Sequence, residues 1–374
     1  MSRYLSISIS ILVSILLIAD AVVSNLVVTK APIPSAVPLG SPAAYLNVYL
    51  HVPIAWASYI LFTAGFVLSI IYLITNNEKF DRYASAFIYT ALVYAFLTLI
   101  TGSMWALESW GSSWNWDPRE TSVLLMFIAY LVYVAIRYSI KEPEKRAVIS
   151  AVYAIAAFAS LPISFIAPYV IQGSLHPTMS NTKSFVTQPG VTPYFVSKVL
   201  LVVITSILIA IGVAIGFEKK IVVAGASIAL VIFLFSAITS LPLGHVGRVV
   251  KVELTNGSQN VIAINSKGEL LQLKGSLRVT VSYGEEETNV TLKSLKEIPT
   301  PQLVPAPGFA RGNDQLLIKY NNETYWPTLL GHLVKVEGEK LKVVKPFCVA
   351  WTLMTYGTLV PLYVIVTSLR REGK

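Results

Sequence analysis

Tryptophan is the residue type whose clustering in this sequence first indicates a binding site. Four of the seven tryptophans fall between Trp105 and Trp116, a stretch that also holds a glycine, three serines and Asn115. We call residues 105–116 the tryptophan segment. An interfacial aromatic belt is the alternative interpretation, but belt residues are normally scattered over all the helix ends of a membrane protein. Their concentration in one segment favours a site for a flat ligand, because indole rings stack on flat surfaces.

Two of the four histidines fall beside hydrophobic stretches on the same side of the chain as the tryptophan segment. His51 precedes the second hydrophobic stretch and His176 follows the fifth, and no histidine is predicted within a stretch. Each alone is most simply an ordinary interfacial side chain. Together, two imidazoles from separate loops suit the two axial positions of a haem iron. A zinc site would need three or four ligands, and no nearby cysteine or histidine supplies them.

The sequence Asp117-Pro118-Arg119-Glu120 has the pattern of a helix N-terminus. Asp117 suits the N-cap, Pro118 the first helical position and Glu120 the third, as in a capping box. The backbone N–H groups of a helix start and the positive end of its dipole favour a carboxylate, and Arg119 adds a positive charge. We therefore expect this helix start to hold an anionic group such as a haem propionate.

Composition places most of the chain in lipid. Hydrophobic residues make up 54% and charged residues 13%, with a mean hydropathy of +0.64, whereas soluble domains have about 25% charged residues. This excludes a soluble globular enzyme and a disordered protein, and the single cysteine excludes a c-type cytochrome. Eight stretches reach the length of about 20 apolar residues that a spanning helix needs. They are Tyr4–Val28, Ala55–Thr75, Ala84–Leu107, Thr121–Tyr138, Ala147–Val170, Pro193–Phe217, Ile221–Leu241 and Phe347–Leu369.

Lysine and arginine are distributed unevenly over the segments between these spans. With the N-terminus inside, the inside segments hold 12 of them and the short outside loops hold 4, counting Lys198 among the latter. This bias predicts a multi-pass protein of the plasma membrane with cytoplasmic termini and an extracytoplasmic tryptophan segment. It also explains the net charge of +9 without nucleic acid as a partner. Asp20, inside the first span, has no role that the sequence explains.

Residues 244–346 have the alternating pattern of β-strands. Turn signals such as Asn256-Gly257 separate the strand-like runs, and about 100 residues can bury a core of their own. The predicted fold class is therefore a polytopic α-helical membrane protein of about eight spans with an inserted extracytoplasmic all-β domain. The predicted units are residues 1–217 (six helices), 218–243 (the seventh helix), 244–346 (the β-domain) and 347–374 (the eighth helix and a cytoplasmic tail).

The run from Trp110 to Thr121 resembles the tryptophan-rich WWD signature of haem-handling proteins in cytochrome c maturation, the superfamily of CcmC, CcmF and CcsA types. The segment His51–Trp56 resembles the first outer-face histidine segment of the CcmC type, and Leu175–Pro177 resembles the second. The order of the three segments along the chain also agrees. CcmF and CcsA types resemble each other in carrying further histidines inside helices, which this sequence lacks. The resemblance is therefore to the CcmC type and covers roughly residues 1–217.

The resemblance implies haem b held non-covalently and transiently at the outer membrane surface. It implies His51 and His176 as axial ligands of the iron. The other implied haem-binding residues are Trp56, Trp110, Trp114, Trp116, Asp117 and Arg119. The implied partners are a CcmE-type haem chaperone and ABC-type cytochrome c maturation subunits, with apocytochrome c as a further candidate.

Three functions remain open from the sequence. The first is a haem-binding protein that hands haem to the chaperone, without covalent chemistry of its own. The second is an enzyme, a haem lyase that joins haem to apocytochrome c, because the extra helices and the inserted segment are reminiscent of the CcmF type. The third is a secondary transporter, for which paired ionisable residues near the middle of the membrane would speak. Asp20 is almost the only candidate for such a residue, so we favour the first function.

Overall fold

The computed structural model describes residues 3–31, 46–110, 112–171, 174–176, 186–187, 190–240 and 347–369, together with ten strands between residues 245 and 344. For the strands and for residues 108–110, only the course of the backbone is described. These ranges contain nine helices. They are α1 (Arg3–Lys30), α2 (Val48–Thr75), α3 (Glu78–Trp110), α4 (Pro118–Ser139), α5 (Pro143–Ala157), α6 (Ser160–Val170), α7 (Val191–Ile215), α8 (Lys219–Thr239) and α9 (Phe347–Leu369).

The prediction of eight membrane spans is confirmed. Eight helical segments of the described residues are long and apolar enough to cross a membrane, with α5 and α6 together forming one of them, Pro143–Val170. The break between α5 and α6 has a local cause in Pro162. Proline has no N–H to donate to the carbonyl of Phe158 four residues earlier, and its ring crowds that carbonyl. Leu161 donates to this carbonyl instead, at 3.0 Å.

Two residues differ from their predicted positions relative to the spans. The helix α2 begins at Val48, so His51 lies inside the second span rather than before it. The apolar run predicted a start of α2 that is too late. The helix passes through Pro53, which lies near its start and does not end it. Lys198 lies within α7 and its side chain is 1% exposed, so its assignment to an outside loop was wrong. A buried partner, Asp20, explains how a lysine can lie there.

Small residues allow the helices to approach each other closely. A Cβ atom added at Gly65 of α2 would lie 2.6 Å from a side-chain carbon of Ile88 in α3. Gly225 of α8 faces Ser14 of α1 in the same way, with a distance of 2.2 Å. Contacts of this kind drive helix association in membranes, where burial of apolar surface from water contributes little. The start of α2, the end of α3 and the start of α4 lie at the same end of the packed helices, and the candidate site lies there.

The described strands pair in two antiparallel five-stranded sheets. The first has the order β5-β4-β1-β10-β9 and the second the order β3-β2-β8-β7-β6. The strand bounds are β1 (His245–Thr255), β2 (Val261–Asn265), β3 (Leu270–Leu273), β4 (Ser276–Tyr283), β5 (Glu286–Lys293), β6 (Leu303–Val304), β7 (Leu317–Tyr320), β8 (Glu323–Pro327), β9 (Leu333–Glu337) and β10 (Lys340–Val344). The remaining residues of 241–346 lie outside the described ranges, among them His332.

The predicted fold class needs a correction. The buried hydrophobic core of the described side chains consists of helix residues. An inserted all-β domain with a core of its own is therefore not supported, and the fold class is that of a helical membrane-type protein with eight apolar spans. The physical reason is that alternation and turn signals specify pairing between neighbouring strands. They do not specify that two sheets enclose a common core.

Candidate functional site

His51 is fixed by α3, which packs against the first turn of α2. Its Nδ1 atom lies 2.8 Å from the hydroxyl of Thr101, and that hydroxyl donates to the carbonyl of Leu97 at 2.7 Å. Because the hydroxyl proton is used there, the oxygen accepts from His51, and the Nδ1 atom carries the proton. This leaves the lone pair on Nε2 for a ligand bond.

The end of α3 leaves room for the His51 ring. A Cβ atom added at Gly102 would lie 3.0 Å from the Cε1 atom of His51, so the imidazole occupies space that a side chain there would fill. Trp105 packs edge-on against the same imidazole, with 5.5 Å between the ring centroids. The ring is therefore placed by three residues that lie within five positions of α3.

Asp117 connects the start of α4 to the segment that carries His176. As predicted, it is the N-cap of α4, with Pro118 at the first helical position, and its Oδ1 atom accepts from the backbone N–H of Arg119 at 2.8 Å. Its Oδ2 atom accepts from the hydroxyl of Ser174 at 2.8 Å and from the N–H of Leu175 at 2.6 Å. The carboxylate thus holds a segment far along the chain in place beside the helix start.

The same carboxylate orients the ring of His176. The Nδ1 atom of His176 lies 2.7 Å from Oδ1 of Asp117. Burial would raise the pKa of the Asp117 carboxyl, but the bonds from His176, Ser174 and Arg119 outweigh it and hold that pKa well below its usual range. Asp117 is therefore ionised, and Nδ1 of His176 donates to it. A carboxylate behind a histidine is a common arrangement for histidines that bind metals.

The two histidines converge, although they are far apart in the chain. His51 lies in the first turn of α2, and Asp117 holds His176 at the start of α4. Phe165 joins these two helices, because its ring contacts Trp56 of α2 and lies under the guanidinium of Arg119 in α4. Each histidine has its Nδ1 atom engaged by the protein. The donor set therefore fits an iron atom bound from two sides by imidazole nitrogens.

Aromatic side chains surround this end of the helices. Trp114 and Trp116 pack edge to face with 5.9 Å between their centroids, and the Trp116 ring is 73% exposed. Trp116 also has a φ of 55°, a left-handed conformation that is unfavourable for a residue with a Cβ atom. Trp56 is partly exposed and packs edge-on against Phe165. The α3 helix ends at Trp110, whose side chain lies outside the described residues.

Arg119 offers positive charge at the same helix start. Its guanidinium lies over the ring of Phe165, with 5.5 Å from Cζ to the centroid. Within the described part of the chain, its Nε atom is buried without a hydrogen-bond partner. Glu120, predicted to complete the capping box, accepts from the backbone N–H of Asn115 at 3.0 Å and so ties down the tryptophan segment. Arg119 is thereby available to a carboxylate ligand.

Sequence reasoning missed the residues behind the histidines. Thr101 and Gly102 are of common types, and no local pattern links them to His51, which lies 50 residues away. Trp105 was visible as part of the tryptophan segment, but its position on the helix facing His51 follows only from the packing of α2 on α3. Ser174 precedes His176 by two residues, a spacing that does not by itself indicate a role.

The family match covers the histidines and the tryptophan segment. Residues 1–176 match the family model described as Cytochrome C assembly protein. The matched range begins at residue 1 and ends at His176. It therefore contains every residue of the candidate site described above.

Curated relatives agree with this match over shorter stretches. Heme exporter protein C of Bradyrhizobium diazoefficiens is 34% identical over 115 residues, 31% of this chain and 44% of the relative. Cytochrome c biogenesis protein CcsA of Chlamydomonas reinhardtii is 35% identical over 126 residues, 30% of this chain and 36% of the relative. The chain thus spans less than half the length of these relatives. A solved structure, Cytochrome c Heme Lyase CcmF, aligns over 86% of this chain and 72% of its own, with 11% identity and a TM-score of 0.28.

Proposed function

We propose that this protein binds haem at the outer face of the plasma membrane and hands it to a CcmE-type chaperone during cytochrome c biogenesis. The observation that carries the proposal is that both histidine rings are held by hydrogen bonds through Nδ1, His51 by Thr101 and His176 by Asp117 at the start of α4. The match of residues 1–176 to the cytochrome C assembly family and the similarity to proteins named heme exporter protein C support haem as the ligand.

Each group of residues in the site has a separate task in this proposal. The two imidazoles bind the iron, which leaves haem b attached without a covalent bond to the protein. Tryptophan rings, including Trp56, Trp110, Trp114 and Trp116, provide flat surfaces for the porphyrin. Arg119 and the N–H groups at the start of α4 bind the propionates. Asp117 acts through His176, which it orients.

The proposed topology follows from the charge bias. Without Lys198, which is buried in α7, the short outside loops hold 3 lysines and arginines against 12 in the inside segments. We therefore place both termini in the cytoplasm and the tryptophan segment outside the cell. ABC-type cytochrome c maturation subunits are the proposed membrane partners, with apocytochrome c as a further candidate partner.

An absorption spectrum of the full chain tests the proposed site. We expect the detergent-purified protein, expressed with haem available, to show a low-spin spectrum of iron with two histidine ligands. His51→Ala and His176→Ala should each lose or alter this spectrum, because one axial ligand is removed. His245→Ala is the matched control and should leave it unchanged. A haem spectrum that is indifferent to both His51→Ala and His176→Ala would overturn the site.

The direction of transfer is tested with the haem-loaded protein and a purified CcmE-type chaperone. We expect haem absorbance to move to the chaperone, and the transfer to require both histidines of the donor. Haem that moves instead to apocytochrome c and becomes covalently attached there, with no chaperone present, would replace the proposed function with that of a haem lyase.

A further inference from the structure

The two histidines of the site are supported unequally. Behind His176, Nδ1 faces the carboxylate of Asp117 at 2.7 Å. Behind His51, Nδ1 faces the neutral hydroxyl of Thr101. A carboxylate partner makes an imidazole a stronger electron donor to a metal, and a hydroxyl does so much less. The bond from His176 to an iron is therefore the stronger of the two.

The surroundings of the two rings also hold His176 more firmly than His51. Asp117 also binds Ser174 and the backbone N–H of Leu175, so the residues that precede His176 are fastened to the start of α4. The ring of His51 adjoins Gly102, which has no side chain, and touches Trp105 edge-on. His176, although it lies in a connecting segment, is thus held by a network of charged hydrogen bonds. His51, although it lies on a helix, is held by one neutral bond.

We propose that His176 remains bound to the haem iron while haem is handed over, and that His51 is the ligand that leaves. This inference rests on the proposed function. In the exchange, the bond between iron and Nε2 of His51 would break, and a donor atom of the recipient protein would form a bond to the iron in its place. No electron is transferred. The proton on Nδ1 of His51 stays in its hydrogen bond to Thr101. The recipient therefore approaches from the side of α2 and the end of α3.

Carbon monoxide replaces one axial ligand of reduced haem and so reports which bond is weaker. The test uses the full-length, haem-loaded protein with haem and carbon monoxide as the only added ligands. His51→Gly and His176→Gly each retain one known histidine, and their resonance Raman spectra with carbon monoxide serve as references. We expect the wild-type spectrum to match that of His51→Gly, in which His176 is the remaining ligand. A match to His176→Gly, or an equal mixture, would overturn the inference.

Two further variants test the reason for the inequality. In the His51→Gly background, Asp117→Asn keeps a helix cap but removes the charge behind His176, and haem dissociation should accelerate by about 10-fold to 100-fold. In the His176→Gly background, Thr101→Val removes the hydroxyl behind His51, and the acceleration should be smaller. Equal effects would contradict the assigned difference. Failure of the proposed function is distinguishable, because the haem spectrum would then be indifferent to both histidine substitutions.

Discussion

Two buried groups of polar residues in this protein differ in whether their hydrogen bonds are closed within the chain. The interior cluster comprises Asp20, Ser24, Lys198 and Tyr356, from α1, α7 and α9. The Nζ atom of Lys198 donates to Oδ1 of Asp20 and, at 2.7 Å, to the hydroxyl of Ser24. Tyr356 donates to the other carboxylate oxygen at 2.8 Å. Charge is paired and both carboxylate oxygens are used.

The proposed haem site around His51, Asp117, Arg119 and His176, which we call the outer site, is not closed in the same way. The Nε atom of Arg119 is buried without a hydrogen-bond partner among the described residues. An unsatisfied buried polar group is costly, so it persists where a ligand satisfies it or where it has another function. The comparison assigns a structural role to the interior cluster and agrees with the binding role that we propose for the outer site.

The largest effect we expect is on the interior cluster. Lys198→Met leaves the carboxylate of Asp20 buried without its counter-charge, which should lower the free energy of unfolding by about 3–5 kcal/mol. The measurement is thermal unfolding of the purified protein in detergent. Haem bound to the fraction that remains folded should keep the wild-type absorption spectrum, because no residue of the outer site is changed.

A double variant provides the control for charge. Asp20→Leu combined with Lys198→Met removes both charges together, and stability should recover relative to Lys198→Met alone. If the double variant were as unstable as the single one, the ion pair would not be the cause. If Lys198→Met unfolded like the wild type but lost haem, the interior cluster would belong to the binding function instead.

The spans were predictable from the sequence because hydropathy is a local property. The interior cluster was not predictable. Asp20 stood out as a polar residue in an apolar helix, but its partner Lys198 lies 178 residues away. Only the packing of α1 against α7 brings the two together. His51 and His176 were found because histidine is rare in this chain, whereas Thr101 is of a common type. Rare residue types and periodic patterns can be seen in one sequence, but contacts between helices cannot.

Two glycine substitutions, one near each group of residues, should have effects of intermediate size. A Cβ atom at Gly357 of α9 would lie 2.2 Å from Cβ of Phe233 in α8, so Gly357→Ala should lower the free energy of unfolding by about 1–3 kcal/mol through overpacking. At Gly102 the nearest atom is Cε1 of the His51 ring, at 3.0 Å. Gly102→Ala should therefore shift the imidazole and weaken haem binding with little change in thermal stability.

These two variants are measured together by thermal unfolding and haem titration. The comparison predicts that each substitution changes one property and leaves the other near its wild-type value. If Gly102→Ala lowered the thermal stability and left the haem affinity unchanged, the end of α3 would have a packing role like that of α9. The proposed distinction between the two regions would then fail.

The smallest effect concerns strain at Trp116. Its φ of 55° is unfavourable for tryptophan, and its ring is largely exposed, so the conformation costs about 1 kcal/mol without compensation from burial. Trp116→Gly and Trp116→Asn both tolerate this conformation, and we expect them to unfold at or slightly above the wild-type temperature while binding haem more weakly. Trp116→Phe keeps a flat ring and should retain more of the haem affinity. Strain held where a ring faces solvent is typical of binding sites, so weaker haem binding with unchanged stability would place Trp116 in the outer site. Wild-type haem affinity in all three variants would remove it from that site.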